Sequence, residues 1–108
     1  MPEQLPNVWL EEIQAWASGE PLVLEAYIFG SRAKGIARPE SDLDVAILLA
    51  GGSESERTAN WICEASRLRK GLEERLPVSL DLWSIAADDE RVGPAVREHG
   101  ILAFRRGA

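Results

Sequence analysis

Two apolar runs joined by a polar loop constrain the fold of this chain more than any other feature. Residues 22–29 are almost continuously apolar, as in a strand that is covered on both faces. Residues 42–49 begin with strand-like alternation, which places Asp42 and Asp44 together on one face. The loop between the runs starts at Gly30. The sequence therefore predicts two strands, with a glycine turn leaving the first and two carboxylates at the start of the second.

The length and composition limit the classes of protein to consider. At 108 residues the chain has room for one domain, residues 1–108, and no second core. Its single cysteine, Cys63, excludes an internal disulfide and suits a reducing compartment, and we expect it to be a buried, inert thiol. No stretch approaches the ~18 apolar residues of a membrane span, and no signal peptide is recognisable. We therefore expect a cytoplasmic domain without membrane contact.

The charge balance argues against nucleic acid as a direct partner. The chain has 18 acidic and 12 basic residues and a formal net charge of −6. This charge repels a phosphate backbone, so we expect no direct nucleic-acid binding. A nucleotide can still be held where divalent cations mediate the contact, and a basic protein partner is favoured.

A third predicted strand follows a long helix. Apolar residues recur at helical spacing over residues 55–75, and Pro77 ends this helix. The expected apolar face comprises Trp61, Ile62, Ala65, Leu68, Leu72 and Leu76. Residues 78–83 then alternate as a strand that carries Asp81. A helical crossover usually makes the strands it joins parallel neighbours, so Asp81 should lie beside the earlier aspartate pair.

The two ends of the chain are predicted to be helical, with one more strand. Asn7 is expected to cap a helix over residues 7–18. Near the C-terminus we expect a helical turn at 88–92, a separate helix opened by Pro94, and a short edge strand at 101–104.

The polar residues of the loop and strands suggest a site, although each has an ordinary explanation. A Gly-Ser turn is common, and two aspartates can simply be a charged entry to a strand. Their conjunction with a later acid favours a phosphate loop beside a metal site, because three carboxylates suit Mg²⁺. Two such ions about 3.5–4 Å apart can stabilise an in-line displacement at phosphorus.

The same residues resemble the minimal nucleotidyltransferases (MNT domains), a small branch of the DNA polymerase beta superfamily. The family pattern is Gly-Ser, a further Gly, Asp-x-Asp and a third acid. Here it is matched by Gly30-Ser31, Gly35, Asp42-Leu43-Asp44 and Asp81. The resemblance implies an α/β (α+β) fold, in which helices flank a mixed β-sheet as in polymerase beta-like nucleotidyltransferases. It also implies ATP as nucleotide donor and two Mg²⁺ ions.

The resemblance assigns roles to individual positions. Asp42 and Asp44 would coordinate the two Mg²⁺ ions, and Asp81 would bind metal on the acceptor side and help to take the acceptor's proton. The implied nucleotide-binding residues are Gly30, Ser31, Arg32, Gly35 and Ser41. For Arg32, a solvated loop charge is an equally good interpretation.

The resemblance also implies a partner. Free-standing MNT proteins resemble antitoxins that are paired with helical HEPN toxins, so the first hypothesis is an antitoxin that attaches AMP to a hydroxyl of its toxin. We expect no second domain to shape an acceptor site, and therefore expect the partner to supply that surface. Two alternatives are a binding module without catalysis and a subunit that modifies a small molecule such as an antibiotic. Three mutually repelling carboxylates favour catalysis.

Overall fold

The computed structural model describes residues 5–87 and 89–107. The helices and strands, in chain order, are α1 (Asn7–Ser18), β1 (Val23–Phe29), α2 (Gly30–Lys34), β2 (Leu43–Leu49), α3 (Glu54–Glu73), β3 (Leu80–Ser84), α4 (Asp89–His99) and β4 (Ile101–Arg105). Their order matches the predicted succession of elements, except that the short helix α2 lies within the predicted loop and α4 replaces two predicted helical segments. None of the helices in the described part of the chain is long and apolar enough to cross a membrane.

The four strands form one mixed sheet in the order β3-β2-β1-β4. β1 pairs antiparallel with both β2 and β4, while β2 and β3 are parallel. The almost continuously apolar run is thus a central strand, as predicted, and β4 is an edge strand, as predicted. The parallel pair confirms that the long helix is a crossover.

Helices cover both faces of the sheet. α1 and α3 pack on one face, where the core includes Ile13, Trp16, Val45, Ile47, Leu68 and Leu72. α4 packs on the other face, where Val92 contacts a smaller cluster with Phe29 and Ala46. The mixed sheet flanked by helices confirms the predicted fold class.

The predicted extent of the first helix, residues 7–18, is confirmed, but its predicted cap and the predicted start of the C-terminal helix are wrong. α1 is preceded by Pro6, whose carbonyl accepts a hydrogen bond from the Trp9 N–H at 3.0 Å, and Asn7 is already helical. Near the C-terminus one helix replaces the predicted turn and separate helix, with Pro94 inside it. Proline costs that helix one hydrogen bond, but buried Val92 and partly buried Val96, on either side of Pro94, pack in one cluster and hold the helix together. The predicted residue Asp88 lies outside the described residues.

The long helix begins with a side-chain cap and buries a narrower face than predicted. Ser53 Oγ accepts from the Glu56 N–H at 3.2 Å, and α3 therefore starts at Glu54. Ile62 is 73% exposed and Cys63 is also exposed, so both were wrongly predicted to be buried. At about 100° per residue, Ile62 lies about 120° around the helix from buried Leu68. The apolar face predicted from the sequence is therefore wider than the face of α3 that packs against the sheet.

Candidate active site

The candidate site is a row of side chains across the face of the sheet on which α4 packs. Asp44 lies directly opposite Phe29 in the antiparallel pair and beside Asp81 in the parallel pair. The residues on either side of Asp44, Leu43 and Val45, are fully buried on the opposite face. Strand alternation therefore directs the Asp44 and Asp81 carboxylates to the same side. The predicted adjacency of these two acids is confirmed.

The proximity of the acids changes the ionisation of Asp44. The pKa of the Asp44 carboxyl is raised from 3.8 to about 6, mainly by burial and in addition by the negative charges of Asp81 and Asp42. A hydrogen bond between the Asp44 and Asp81 side chains also favours the protonated form. Such a pair is poorly stabilised when both carboxylates are charged, so a cation bound between them would relieve the repulsion.

Gly30 brings the backbone against the Asp44 carboxylate. It has a φ of 76°, in the left-handed region, at the point where β1 gives way to α2. A Cβ built on Gly30 would collide with the Asp44 Oδ2 atom and would lie 3.0 Å from its Cγ. Glycine is therefore required both by the conformation and by the close approach. The sequence predicted a glycine turn here but did not reveal its contact with Asp44.

Arg32 holds the loop that leads to the aspartates. Its side chain is 6% exposed, and its guanidinium donates to the Ser41 carbonyl at 2.8 Å and to the Pro39 carbonyl at 3.3 Å. The same group lies over the Trp9 ring, 5.0 Å from its centroid. The interpretation of Arg32 as a solvated loop charge is thus wrong, and in this structure it positions the loop. A direct contact with nucleotide stays a prediction.

Replacing Arg32 with alanine should lower the free energy of unfolding by about 2–3 kcal/mol. The change removes hydrogen bonds from a buried, charged donor to the Ser41 and Pro39 carbonyls and the stacking on Trp9. Chemical denaturation of the variant measures the loss. Lys34→Ala is the matched control, because Lys34 is exposed in the same short helix, and it should stay within about 0.5 kcal/mol of wild type. Equal stability of the two variants would contradict the positioning role.

The other predicted nucleotide-binding residues shape the same loop. Gly35 ends α2 with a φ of 75°, and the Ile36 N–H donates to the Ser31 carbonyl at 3.0 Å. Ser41 Oγ accepts from the Arg38 N–H at 2.9 Å, immediately before the aspartates. These contacts fix the path from β1 to β2. Binding of a nucleotide by these residues stays a prediction.

The donor chemistry fits a divalent cation at Asp44 and Asp81. Carboxylate oxygens are the ligands that Mg²⁺ prefers, and these two lie side by side with a shared hydrogen bond. Asp42 is exposed and precedes the first residue of β2, although its charge reaches Asp44. Among residues 5–87 and 89–107, no three His, Cys, Asp or Glu side chains are arranged so as to hold a metal ion. The predicted three-carboxylate set thus stays a prediction, with Asp44 and Asp81 as its best-placed members.

The raised pKa of Asp44 predicts how stability depends on pH without divalent cations. Its folded pKa, about 6, lies above the ordinary value of 3.8, so its contribution to stability is full below that lower value and is lost as the pH rises through 6. Because solvent screens a half-buried group, we expect a loss on the order of 1 kcal/mol between about pH 4 and pH 7.

Urea unfolding of wild type and Asp44→Asn across this pH range measures the effect. The variant should lack this loss, whereas Glu40→Gln, which changes an exposed acid of the same loop, should retain it. Parallel pH profiles for wild type and Asp44→Asn would contradict the assignment. Adding Mg²⁺ should reduce the wild-type loss.

Comparison with protein families identifies the class of protein. The family model described as polymerase beta, nucleotidyltransferase matches residues 11–106. The chain therefore belongs to the polymerase beta nucleotidyltransferase family. Comparison with curated proteins gives no significant match.

Solved structures with the same fold include toxin–antitoxin complexes. One, a toxin–antitoxin with AMP-PNP, has a TM-score of 0.67 and 23% identity over 89% of this chain and 73% of that chain. Another, the toxin–antitoxin MntA-HepT, has a TM-score of 0.63 and 20% identity over 93% of this chain and 73% of that one. A candidate nucleotidyltransferase from Sulfolobus solfataricus has a TM-score of 0.52 and 22% identity over 93% of this chain and 79% of that chain. At these identities the likeness shows a shared nucleotidyltransferase fold.

Proposed function

We propose that this protein is a Mg²⁺-dependent adenylyltransferase that moves AMP from ATP to a hydroxyl of a partner protein, and that it acts in the cytoplasm as the antitoxin of a HEPN-type toxin. The observation that carries the proposal is the Asp44–Asp81 pair beside the Gly30 turn. Two adjacent carboxylates destabilise a domain unless a bound cation offsets their repulsion. Within this family, such a pair is best explained by nucleotidyl transfer.

The proposed reaction asks the protein mainly to position its reactants. The backbone at Gly30 and Ser31 would hold the β- and γ-phosphates, and Asp42 and Asp44 would hold Mg²⁺ with Asp81 on the acceptor side. When bound, Mg²⁺ would neutralise charge at the α-phosphate and on the departing pyrophosphate. The acceptor oxygen bonds to the α-phosphorus, and the bond from that phosphorus to the oxygen bridging to the β-phosphate breaks. Pyrophosphate leaves, and the acceptor proton passes to the Asp81 carboxylate or to solvent.

The protein acceptor is supported by the structural neighbours and by charge. The similar structures include toxin–antitoxin complexes, one of them with the ATP analogue AMP-PNP. The net charge of −6 suits a basic protein partner and disfavours a nucleic-acid acceptor.

Transfer of label from ATP tests the proposal. The protein, Mg²⁺ and ATP labelled at the α-phosphate are incubated with a helical protein encoded beside it, and the proteins are then separated. We expect label on the partner only when Mg²⁺ is present. A stable complex in which no label is transferred would overturn the proposed activity.

A double variant separates catalysis from binding. The Asp42→Asn, Asp44→Asn protein should still bind the partner, because it keeps the fold, but should fail to neutralise its toxicity. If this variant neutralises the partner as well as wild type does, binding alone suffices and the antitoxin acts without chemistry. Label on an antibiotic but not on the partner would favour the small-molecule alternative.

A further inference from the structure

The outer side of β3 offers unpaired backbone groups. β3 is an edge strand, and no other strand pairs with that side in the described part of the chain. The Ser79 carbonyl accepts from β2 at 2.8 Å, and the Ile85 N–H donates to β2 at 2.9 Å. Backbone groups of successive residues in a strand point to opposite sides, so those of Leu80 and Leu82 point away from the sheet. Leu80 and Leu82 together present two outward N–H and two outward C=O groups at this edge.

The two edge strands of the sheet differ in how well they are protected from pairing with a further strand. The pairing of β4 with β1 contains a register shift, and β4 ends in the cation Arg105. Bulges and edge charges are devices that prevent an extra strand from pairing. β3 pairs with β2 in continuous register, and its one charged residue, Asp81, points to the face of the candidate site. The edge beside the candidate site is thus the one left open to pairing.

A groove lies next to this edge on the side where β3 begins. It has a volume of about 400 Å³ and is lined by Glu73, Pro77, Val78, Ser79 and Leu80. It carries one carboxylate, that of exposed Glu73, beside the apolar residues Pro77, Val78 and Leu80. Such a lining matches a lysine or arginine side chain, whose stem is apolar and whose end is positive.

We propose that the acceptor segment of the partner protein binds as an added strand along the open edge of β3, with its reactive hydroxyl beside Asp81 and a neighbouring lysine or arginine in the Glu73 groove. This inference rests on the proposed function and names the form of its substrate. Pairing to a free edge is a common way to bind an extended segment, because backbone hydrogen bonds hold it and alternate side chains select it.

The sheet geometry places the hydroxyl at the site. Neighbouring strands lie about 4.7–4.9 Å apart, so the residue beside Asp81 would extend the row formed by Phe29, Asp44 and Asp81. The next residue of the added strand would point to the opposite face, as Leu80 does, towards the groove. A hydroxyl residue with an adjacent basic residue is therefore the predicted acceptor motif.

Synthetic peptides test the docking without changing the protein. The probe is a short unstructured peptide with one tyrosine between two lysines, added to the full chain with Mg²⁺ and AMP-PNP. Hydrogen exchange of the Leu80 and Leu82 amides should slow on binding. Two further peptides carry methyl groups on the backbone nitrogens of either the odd-numbered or the even-numbered residues. One of them should bind at least tenfold more weakly than the unmethylated peptide, and the other should bind as well as it does. Equal binding by both methylated peptides, or unchanged amide exchange, would overturn the proposal.

Protein variants test the edge and the groove separately. Leu80→Pro removes an outward N–H and no hydrogen bond to β2, and should lower AMP transfer to the peptide at least tenfold. Wild type should transfer AMP faster to a peptide with lysine beside the tyrosine than to one with glutamate there. Glu73→Gln should remove most of this preference. Glu74→Gln is the matched control, because Glu74 is exposed at the end of α3 and does not line the groove, and it should retain the preference. Loss of preference in both variants would contradict the groove assignment.

The outcomes separate this inference from the proposed function. Equal AMP transfer by wild type and Leu80→Pro would overturn docking on the edge and leave the adenylyltransferase intact. Protected Leu80 and Leu82 amides without AMP transfer to any acceptor would overturn the activity and leave the binding edge supported. Because the peptide experiment uses wild-type protein, the proposal stays testable if Leu80→Pro does not fold.

Discussion

Asp44→Asn should lower the rate of AMP transfer at least about 10³-fold, which corresponds to about 4 kcal/mol of lost transition-state stabilisation. The substitution keeps the size of the side chain and its place in β2 but removes the charge that would hold Mg²⁺. Because that charge also destabilises the protein without metal, the variant should be at least as stable as wild type near neutral pH. Activity and stability should therefore change in opposite directions.

The rate is measured as AMP transferred at saturating ATP and Mg²⁺, with unfolding followed in parallel. Glu40→Gln is the control, since it removes an exposed charge from the same loop without touching the acid pair. A residual rate within tenfold of wild type would show that Asp44 does not hold the reacting nucleotide's metal. A large loss in the control would point to the overall charge of the loop instead.

Gly30→Ala should have the largest effect on the fold and the site together. Alanine at a φ of 76° costs about 1–2 kcal/mol, and its Cβ would collide with the Asp44 carboxylate, which adds about 1–3 kcal/mol. The displaced carboxylate could no longer lie beside Asp81, so transfer should be abolished. Denaturant unfolding and the transfer assay measure the two losses.

Gly35→Ala separates the cost of backbone strain from the cost of a collision with the Asp44 carboxylate. Gly35 has nearly the same φ, 75°, but a Cβ there would meet nothing within 4 Å. We expect this variant to lose only about 1–2 kcal/mol of unfolding free energy through backbone strain, and to keep the Asp44 carboxylate beside Asp81. Equal losses in the two variants would show that the close approach of Gly30 to Asp44 has no functional importance.

Most of the fold was predictable from the apolar patterns of the sequence, because tertiary packing did not override them. The apolar run that contains β1 predicted a central strand, and the helix before β3 predicted the parallel pairing that sets Asp44 beside Asp81. Strand alternation also determined which side chains share the site face. These features are predictable because periodicity and crossover length constrain them directly.

Contacts across the loop and the exact extent of burial were not predictable. The spacing of Arg32 does not reveal that its guanidinium turns back onto the Ser41 carbonyl, since that bond depends on the folded path of the loop. Similarly, the apolar stripe of α3 did not reveal that Ile62 and Cys63 extend past the edge of the sheet contact. The sequence shows which residues can be buried, whereas the area that neighbouring elements cover decides which are.

The position of the label that reaches the partner tests the central claim most directly. The protein and its partner are incubated with Mg²⁺ and ATP that carries the label on either the α- or the γ-phosphate. Nucleotidyl transfer predicts label on the partner from α-labelled ATP alone, with the γ-label recovered in pyrophosphate, and no transfer by Asp44→Asn. Label from γ-labelled ATP, or equal transfer by wild type and Asp44→Asn, would contradict the assignment of this site to nucleotidyl transfer.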